Sequence, residues 1–456
     1  MANLPDHTDT IIAPATPPGT SALAVIRLSG DRAISLVSDF FSHDLTRTPS
    51  HRARLGILKD GERIIDEVVI TVFRKPKSYT REDLVEISCH GSPVVVREIV
   101  NLFIRHGARM ARPGEFTRRA FLNGRIDLAQ AEAVADVIHA ETEMARQAAI
   151  NQMRSGYPAE LARLREQLIE FASLVELELD FGEEDVEFAK RDELKKLVEQ
   201  IIPFINMLAS TFAAGNVIKN GVPTVIAGKP NAGKSTLLNA LLNEDRAIVS
   251  DIPGTTRDTI EDEITLGGLL FRFIDTAGLR PTTDAIEAQG VERTRQYMKR
   301  ASLILYLIDL TQATPPEVHE QEQELKALNI PYILVGNKTD KLRPDELEKW
   351  KGFPMVFISA SQKTNLDELK NRILEHFQIP EVRSGDVIVT NARHYQSLLE
   401  TRAALQRVLN GLAKNISGDL LAQDIRQALH HLGEITGTIT TEHLLDSIFS
   451  RFCIGK

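Results

Sequence analysis

The sequence predicts a multidomain protein of the α/β plus α class: an N-terminal α/β domain, a helical bundle, and a doubly wound parallel α/β domain inserted in that bundle. Three observations carry this. Gly228 to Ser235 reads GKPNAGKS between the apolar run Val222 to Ala227 and the helix-like Thr236 to Leu242, so strand, glycine-rich loop and helix follow in the order a phosphate-binding unit needs. Apolar stripes at helical spacing flank that unit on both sides, and each needs a surface to cover it. Ahead of them, residues 10 to 120 alternate short strand-like and helical runs.

In chain order, Ala22 to Leu28 and Glu67 to Phe73 read as strands and Val94 to Arg105 as a helix, with Pro17, Pro18, Gly19, Gly91 and Pro93 as punctuation. These form a domain over residues 1–120. Asp127 and Gln130, three apart, form a capping pair ahead of Leu128, Ala131, Val134, Ala135 and Ile138, which opens a long helix. Leu161, Leu164, Leu168, Phe171 and Val175 repeat the stripe, as do Leu194, Leu197 and Ile201. Residues 121–216 are therefore helical. Helical patterning resumes in Asn391 to Leu412, Asp419 to Leu432 and Thr441 to Phe452. The two helical parts, 121–216 and 381–456, cover each other most economically by packing together, which leaves 217–380 as an insertion tethered at turn-rich junctions near Gly215, Gly221 and Pro380.

The insertion carries its chemistry in four motifs. In the P-loop, backbone N–H groups from Asn231, Ala232, Gly233, Lys234, Ser235 and Thr236 face phosphates, Lys234 supplies a point charge, and the Ser235 hydroxyl is a Mg2+ ligand. Gly254, Thr255 and Thr256 form a first switch, with Thr256 completing the Mg2+ shell. Asp275, Thr276, Ala277 and Gly278 form a second, with Asp275 holding a metal water and the Gly278 N–H sensing the terminal phosphate. Asn337, Lys338 and Asp340 form N-K-x-D at a strand end. The Asp340 carboxylate accepts from both N1–H and the exocyclic amine of guanine, which adenine does not offer. Ser359, Ala360 and Ser361 close over the base. Four motifs in this order specify a Ras-like GTPase domain. Leu279 stands where Ras-like proteins carry the glutamine that orients water, so catalysis is organised differently.

With 54 basic and 63 acidic residues the formal charge is −9, so a polyanion must meet a local patch. The segment Arg105, Arg109, Arg112, Arg118, Arg119 and Arg125 reads either as a contact to RNA phosphates or as solvated surface. The N-terminus lacks a signal pattern and no run approaches 18 apolar residues, so neither export nor membrane spanning is supported. Cys89 and Cys453 are too few for a disulfide framework or a four-ligand zinc site. A reducing, cytoplasmic setting is the expectation.

The start DTIIAPATPPG, the run ARPGEFTRRAFLNGRIDLAQAEA from Ala111 to Ala133 and the tail from Phe452 to Lys456, FCIGK, together with the mid-chain GTPase motifs, closely resemble the tRNA modification GTPase MnmE (TrmE) family over nearly the whole chain. The resemblance implies an enzyme that works with a flavin-dependent partner, MnmG or GidA, in a heterotetramer. It adds a carboxymethylaminomethyl or aminomethyl group to carbon 5 of the wobble uridine, position 34, of certain tRNAs. The one-carbon unit comes from a tetrahydrofolate in its 5-formyl or methylene form. Folate contacts carry over onto Arg27, Glu86, Arg125 and Lys456; relatives have Lys at the third, and Arg changes its hydrogen-bond geometry. Cys453 beside that site is a candidate catalytic helper, or an ordinary tail cysteine. Glu287 is implied as the carboxylate that aligns water, and a K+ ion is implied at Asn231 with backbone oxygens of Ser250, Ile252 and Thr255. Homodimerisation through the N-terminal domain is likewise implied. A second reading, a regulatory GTPase that assists ribosome or RNA assembly without modifying RNA, is opposed by the lack of a KH-type G-x-x-G clamp after the GTPase motifs.

Overall fold

A computed structural model describes residues 9–154, 157–180, 191–245, 262–274, 296–377, 379, 382–383, 385–414 and 416–456. The chain divides into two compact units, one comprising Met1–Ala135, Gln152–Pro203 and Ser397–Lys456, the other Asp136–Asn151 and Phe204–Gln396.

In the first unit, strands β1 Ile11–Pro14, β2 Ser21–Ser29, β3 Arg52–Asp60, β4 Arg63–Phe73, β5 Leu84–Gly91 and β6 Arg109–Met110 form one sheet in the order β3-β4-β5-β2-β1-β6. Only β1 and β6 pair in parallel. Alternation decides the two faces: Ala24, Ile26 and Leu28 of β2 and Val85, Ile87 and Cys89 of β5 are buried with Ile99, Leu102 and Phe103 of the helix Pro93–Arg105. The opposite face presents Arg27 and Glu86 as register partners on neighbouring strands. Asp127 and Gln130 cap the helix Leu128–His139 reciprocally: the Gln130 N–H donates to Asp127 Oδ1 at 2.7 Å and the Asp127 N–H to Gln130 Oε1 at 3.0 Å. Leu128 and Ala131 pack with Leu445 and Phe449 of the helix Glu442–Phe449 and with Phe452, which carries the C-terminus to this unit's N-terminal sheet.

The helical stretch Arg191–Asn220 is long and apolar enough to cross a membrane by length and composition alone. Hydropathy averaged along a helix tolerates interspersed polar residues, so the stretch meets that measure although no uninterrupted run approaches 18 apolar residues. Leu194, Leu197, Val198 and Ile201 are buried, as in the core helix of a bundle.

The second unit holds β7 Val222–Gly228, β8 Asp262–Leu266, β9 Leu269–Phe273, β10 Leu303–Asp309, β11 Tyr332–Asn337 and β12 Met355–Phe357 in the order β12-β11-β10-β7-β9-β8. All neighbours run parallel except the β8–β9 hairpin. The order reverses at β7, which lies between β10 and β9, so the loop leaving β7 opens at the topological switch point where such sheets bind ligands. Gly215 is not a junction turn but lies inside the helix Phe212–Asn220. A Cβ there would stand 2.2 Å from the Val389 carbonyl oxygen, so close backbone approach is what selects the glycine. Gly221, at φ 73°, ends that helix, and Pro380 lies outside the described residues.

Candidate functional site

The loop between β7 and the helix Lys234–Asp245 is shaped by three residues with positive φ: Gly228 at 144°, Asn231 at 61° and Gly233 at 100°. The left-handed turns aim successive N–H groups into one concavity at a helix N-terminus, which is an anion site. The Lys234 ammonium lies in that concavity, donating to the carbonyls of Gly228 at 2.9 Å and Lys229 at 3.0 Å. Burial lowers its pKa from the ordinary lysine value. A phosphate is the partner that would restore the favoured charged form. Asn231 and Thr236 are exposed, Ala232 is buried and Ser235 is half-buried.

Asn337 joins this loop to the base-binding side. Its side chain is buried; Nδ2 donates to the Ala232 carbonyl at 2.8 Å, and Oδ1 accepts the Ala360 N–H at 3.0 Å. One amide therefore spans the P-loop, the N-K-x-D strand end and the S-A-x loop. Lys338, with φ 66°, pairs through Nζ with Asp309 Oδ2 at 2.6 Å. Burial opposes charge on Asp309, but hydrogen bonds from Lys338 and Thr311 hold its carboxyl below the ordinary carboxylate value. Asp340 is exposed, with one oxygen bonded to the Ser359 hydroxyl at 2.6 Å, and Ser359 and Ser361 lie 3.2 Å apart. Sequence reasoning missed Asp309; the only available signal was an acid ending the apolar strand Leu303–Asp309. The expected sites at Ser250, Ile252, Gly254, Thr255, Thr256, Asp275, Thr276, Ala277, Gly278 and Glu287 lie outside the described residues, as does Leu279.

In the first unit, Arg27, Glu86, Arg125 and Lys456 gather around one aromatic ring. Arg27 donates to Glu86 Oε1 from Nε at 3.0 Å and from Nη2 at 2.7 Å, and from Nη1 to the Gly455 carbonyl at 3.1 Å. The cationic groups of Arg125, Arg27 and Lys456 lie 4.9, 5.4 and 5.9 Å from the Tyr79 ring centroid, within the range of cation–π attraction. Arg125 also donates to the Ser78 carbonyl at 2.9 Å. Burial lowers the Lys456 pKa, with repulsion from Arg27 acting the same way against attraction from Glu86. Burial raises that of Tyr79, although Thr117 and the two arginines oppose it. Beside them opens a cavity of ≈ 510 Å³ lined by His51, Phe73, Ser78, Tyr79, Glu86 and Arg125. Tyr79 was not identified from sequence; a lone tyrosine in a loop gives no signal before the fold surrounds it with cations. Cys453 is exposed and its carbonyl accepts the Lys456 N–H at 3.3 Å. Cys89 is a buried β5 residue whose thiol is pushed up to about 11, first by burial and then by Asp66.

The basic segment is neither a row of free cations nor plain solvated surface. Arg105 pairs with Asp60, Arg109 with Asp9 and Glu115, and Arg118 with Glu442 and Asp446. Arg119 is 2% exposed between Asp9, Glu82 and Glu115. The Arg118 and Arg119 side chains are largely buried against their acidic partners, since an unpaired buried guanidinium is costly, whereas Arg105 and Arg109 keep their paired charges at the surface.

A family model described as "GTP-binding protein TrmE N-terminus" matches residues 10–125, and one described as "MnmE helical domain" matches residues 128–453. The chain is 57% identical to a tRNA modification GTPase MnmE of Cytophaga hutchinsonii, covering 99% of this chain and 98% of that one. It is 50% identical to one of Christiangramia forsetii, covering 98% and 99%. Against the crystal structure of a variant of Aquifex aeolicus Era bound to GDP.AlF4-, identity is 30% over 40% of this chain and 66% of that one, at a TM-score of 0.26. With both family models matching in succession and full-length relatives sharing half or more of its residues, the chain belongs to the tRNA modification GTPase MnmE family.

Proposed function

We propose that this protein hydrolyses GTP in the service of tRNA modification. With a flavin-dependent partner of the MnmG (GidA) type, it adds an aminomethyl or carboxymethylaminomethyl group to carbon 5 of the wobble uridine, using a tetrahydrofolate one-carbon donor. The observation that carries the folate part is the convergence of Arg27, Glu86, Arg125 and Lys456 on Tyr79 beside a cavity. A pterin edge offers donors and acceptors to the Glu86 carboxylate, its face suits an aromatic wall, and a glutamate tail offers anions to the cations. A bound folate would supply the one-carbon unit. The protein's residues would orient it, with Cys453 a candidate helper at the tail.

For the nucleotide, the P-loop amides, Lys234 and the Asn337 bridge support triphosphate binding, and Asp340 beside Ser359 supports guanine selection. Ser235 and Thr256 would hold Mg2+. The left-handed, exposed Asn231 supports a K+ site completed by Ser250, Ile252 and Thr255, where the ion would supply the charge an arginine finger supplies elsewhere. Glu287 would orient water. Exposed Leu55, Ile57 and Val69 on β3 and β4 support homodimerisation through the N-terminal sheet. The division into domains at 1–120, 121–216, 217–380 and 381–456 belongs to the same reading.

Mass spectrometry of wobble uridines tests the proposal. Cells lacking the gene should lose the carbon-5 group and regain it with wild-type protein but not with Glu86→Ala. Unchanged modification in the deletion strain would leave the regulatory GTPase reading instead.

A further inference from the structure

We propose that Glu400, His431 and Glu434 form a site for one divalent transition-metal ion of the zinc class, clasping the helices Ala392–Ala413 and Gly418–Thr436. His431 and Glu434 are three apart and therefore share a helix face; Glu400 reaches them from the neighbouring helix. The His431 Nδ1 lies 3.1 Å from Glu400 Oε2 and 3.2 Å from Glu434 Oε2, and one ligand atom from each of the three lies within 4.8 Å of the others. Zinc takes imidazole and carboxylate ligands at about 2.0–2.2 Å in a tetrahedron, whose edges are then roughly 3.3 Å. The two nitrogen–oxygen separations approach that edge length.

The proton count adds an independent reason. A ring nitrogen carries at most one proton, so His431 Nδ1 cannot donate a full hydrogen bond to both carboxylates that converge on it. A cation placed among the three ligand atoms interacts with all of them at once and relieves the repulsion between the two carboxylates. Around this set, the Ser397 hydroxyl donates to Glu434 Oε2 at 3.4 Å and His430 Nε2 stands 3.6 Å from Glu434 Oε1, an arrangement of the kind that orients metal-binding carboxylates. The Arg407–Asp424 pair at 2.7 Å ties the same two helices further along. With side chains 23–42% exposed, the site is open on one side, where water would complete the coordination.

Full-length protein stripped with chelator and free of nucleotide is titrated with Zn2+ by calorimetry and with Co2+ by visible absorption, beside His431→Asn and Glu400→Gln. Asparagine keeps a donor where Nδ1 stands, and glutamine keeps an acceptor, so both preserve hydrogen bonding between the helices while removing a metal ligand. Wild type should bind one equivalent more than either variant and show the visible bands of low-symmetry Co2+. Each variant should lose affinity at that equivalent by more than the roughly 10–100-fold that loss of an outer partner costs. Ser397→Ala should fall within that smaller range. No uptake by wild type, or the same stoichiometry and affinity in all three proteins, would show a purely hydrogen-bonded histidine and overturn the site.

Discussion

Replacing Asn337 with alanine tests the idea that one buried amide locks the three loops of the nucleotide site. The substitution strips the Ala232 carbonyl and the Ala360 N–H of their partners at 2.8 and 3.0 Å, and both residues are buried, at 1% and 3% exposure. A buried polar group left unpaired costs about 1–3 kcal/mol. Two such groups at the edge of loops that water can reach should together cost about 2–4 kcal/mol. At 1.4 kcal/mol per decade this is roughly 30- to 700-fold in an equilibrium constant. The stability of the GTPase unit falls by this amount, and GTP affinity falls with it to the extent that the loops must be held for binding. The assay pairs fluorescent-nucleotide titration with urea unfolding in excess GDP and without it, since ligand bound only to the native state adds stability that scales with its affinity. An Asn337→Ala protein with native circular dichroism, affinity within threefold of wild type and stability within 1 kcal/mol would refute the bridge.

Three further outcomes follow from the same geometry. The Asp309 carboxyl is held below its ordinary value of 3.8, so its contribution is complete above that pH and is lost as pH falls through the depressed value. Asp309→Asn should therefore weaken GTP binding at pH 7 and flatten the loss that wild type shows on acidification, read from Kd against pH; parallel profiles would refute the role of the Lys338 pair. Gly455 has φ 95°, and a Cβ there would stand 2.2 Å from the Pro14 carbonyl, so Gly455→Ala should displace Lys456 and weaken folate binding at least tenfold while GTP binding is unchanged. Calorimetry with 5-formyltetrahydrofolate decides this, and an unaltered Kd would sever the tail from the site. GTP hydrolysis should be faster in KCl than in NaCl at matched ionic strength, by a margin that Asn231→Ala erases, and Glu287→Ala should lower turnover with GTP still bound; equal rates in the two salts would remove the potassium reading.

Local pattern was enough for the elements that carry the P-loop and the N-K-x-D strand end. A run such as Val222 to Ala227 has one stable use when a P-loop follows it, and the strand Val222–Gly228 ends at the first glycine of that loop. The Asp127–Gln130 pair declared a helix start because its hydrogen bonds span only three residues. Glycine at 215 misled, since a close approach to Val389 and a turn select the same residue type, and the difference lies in a contact far along the chain. The basic segment stayed ambiguous for a related reason: charge is visible in sequence, but the acids that pair with it come from Asp9, Asp60, Glu82 and Glu442. Resemblance named Arg27 and Lys456, yet the bond from Arg27 to the Gly455 carbonyl joins residues 428 apart. It exists only because Leu128, Phe449 and Phe452 bury one another and bring the tail back to the sheet. Sequence alone thus determined which chemistry the chain carries, because hydrogen-bond geometry and side-chain periodicity act over a few residues. Tertiary packing decided which charges are free to use it, because burial and pairing depend on neighbours that no short stretch contains.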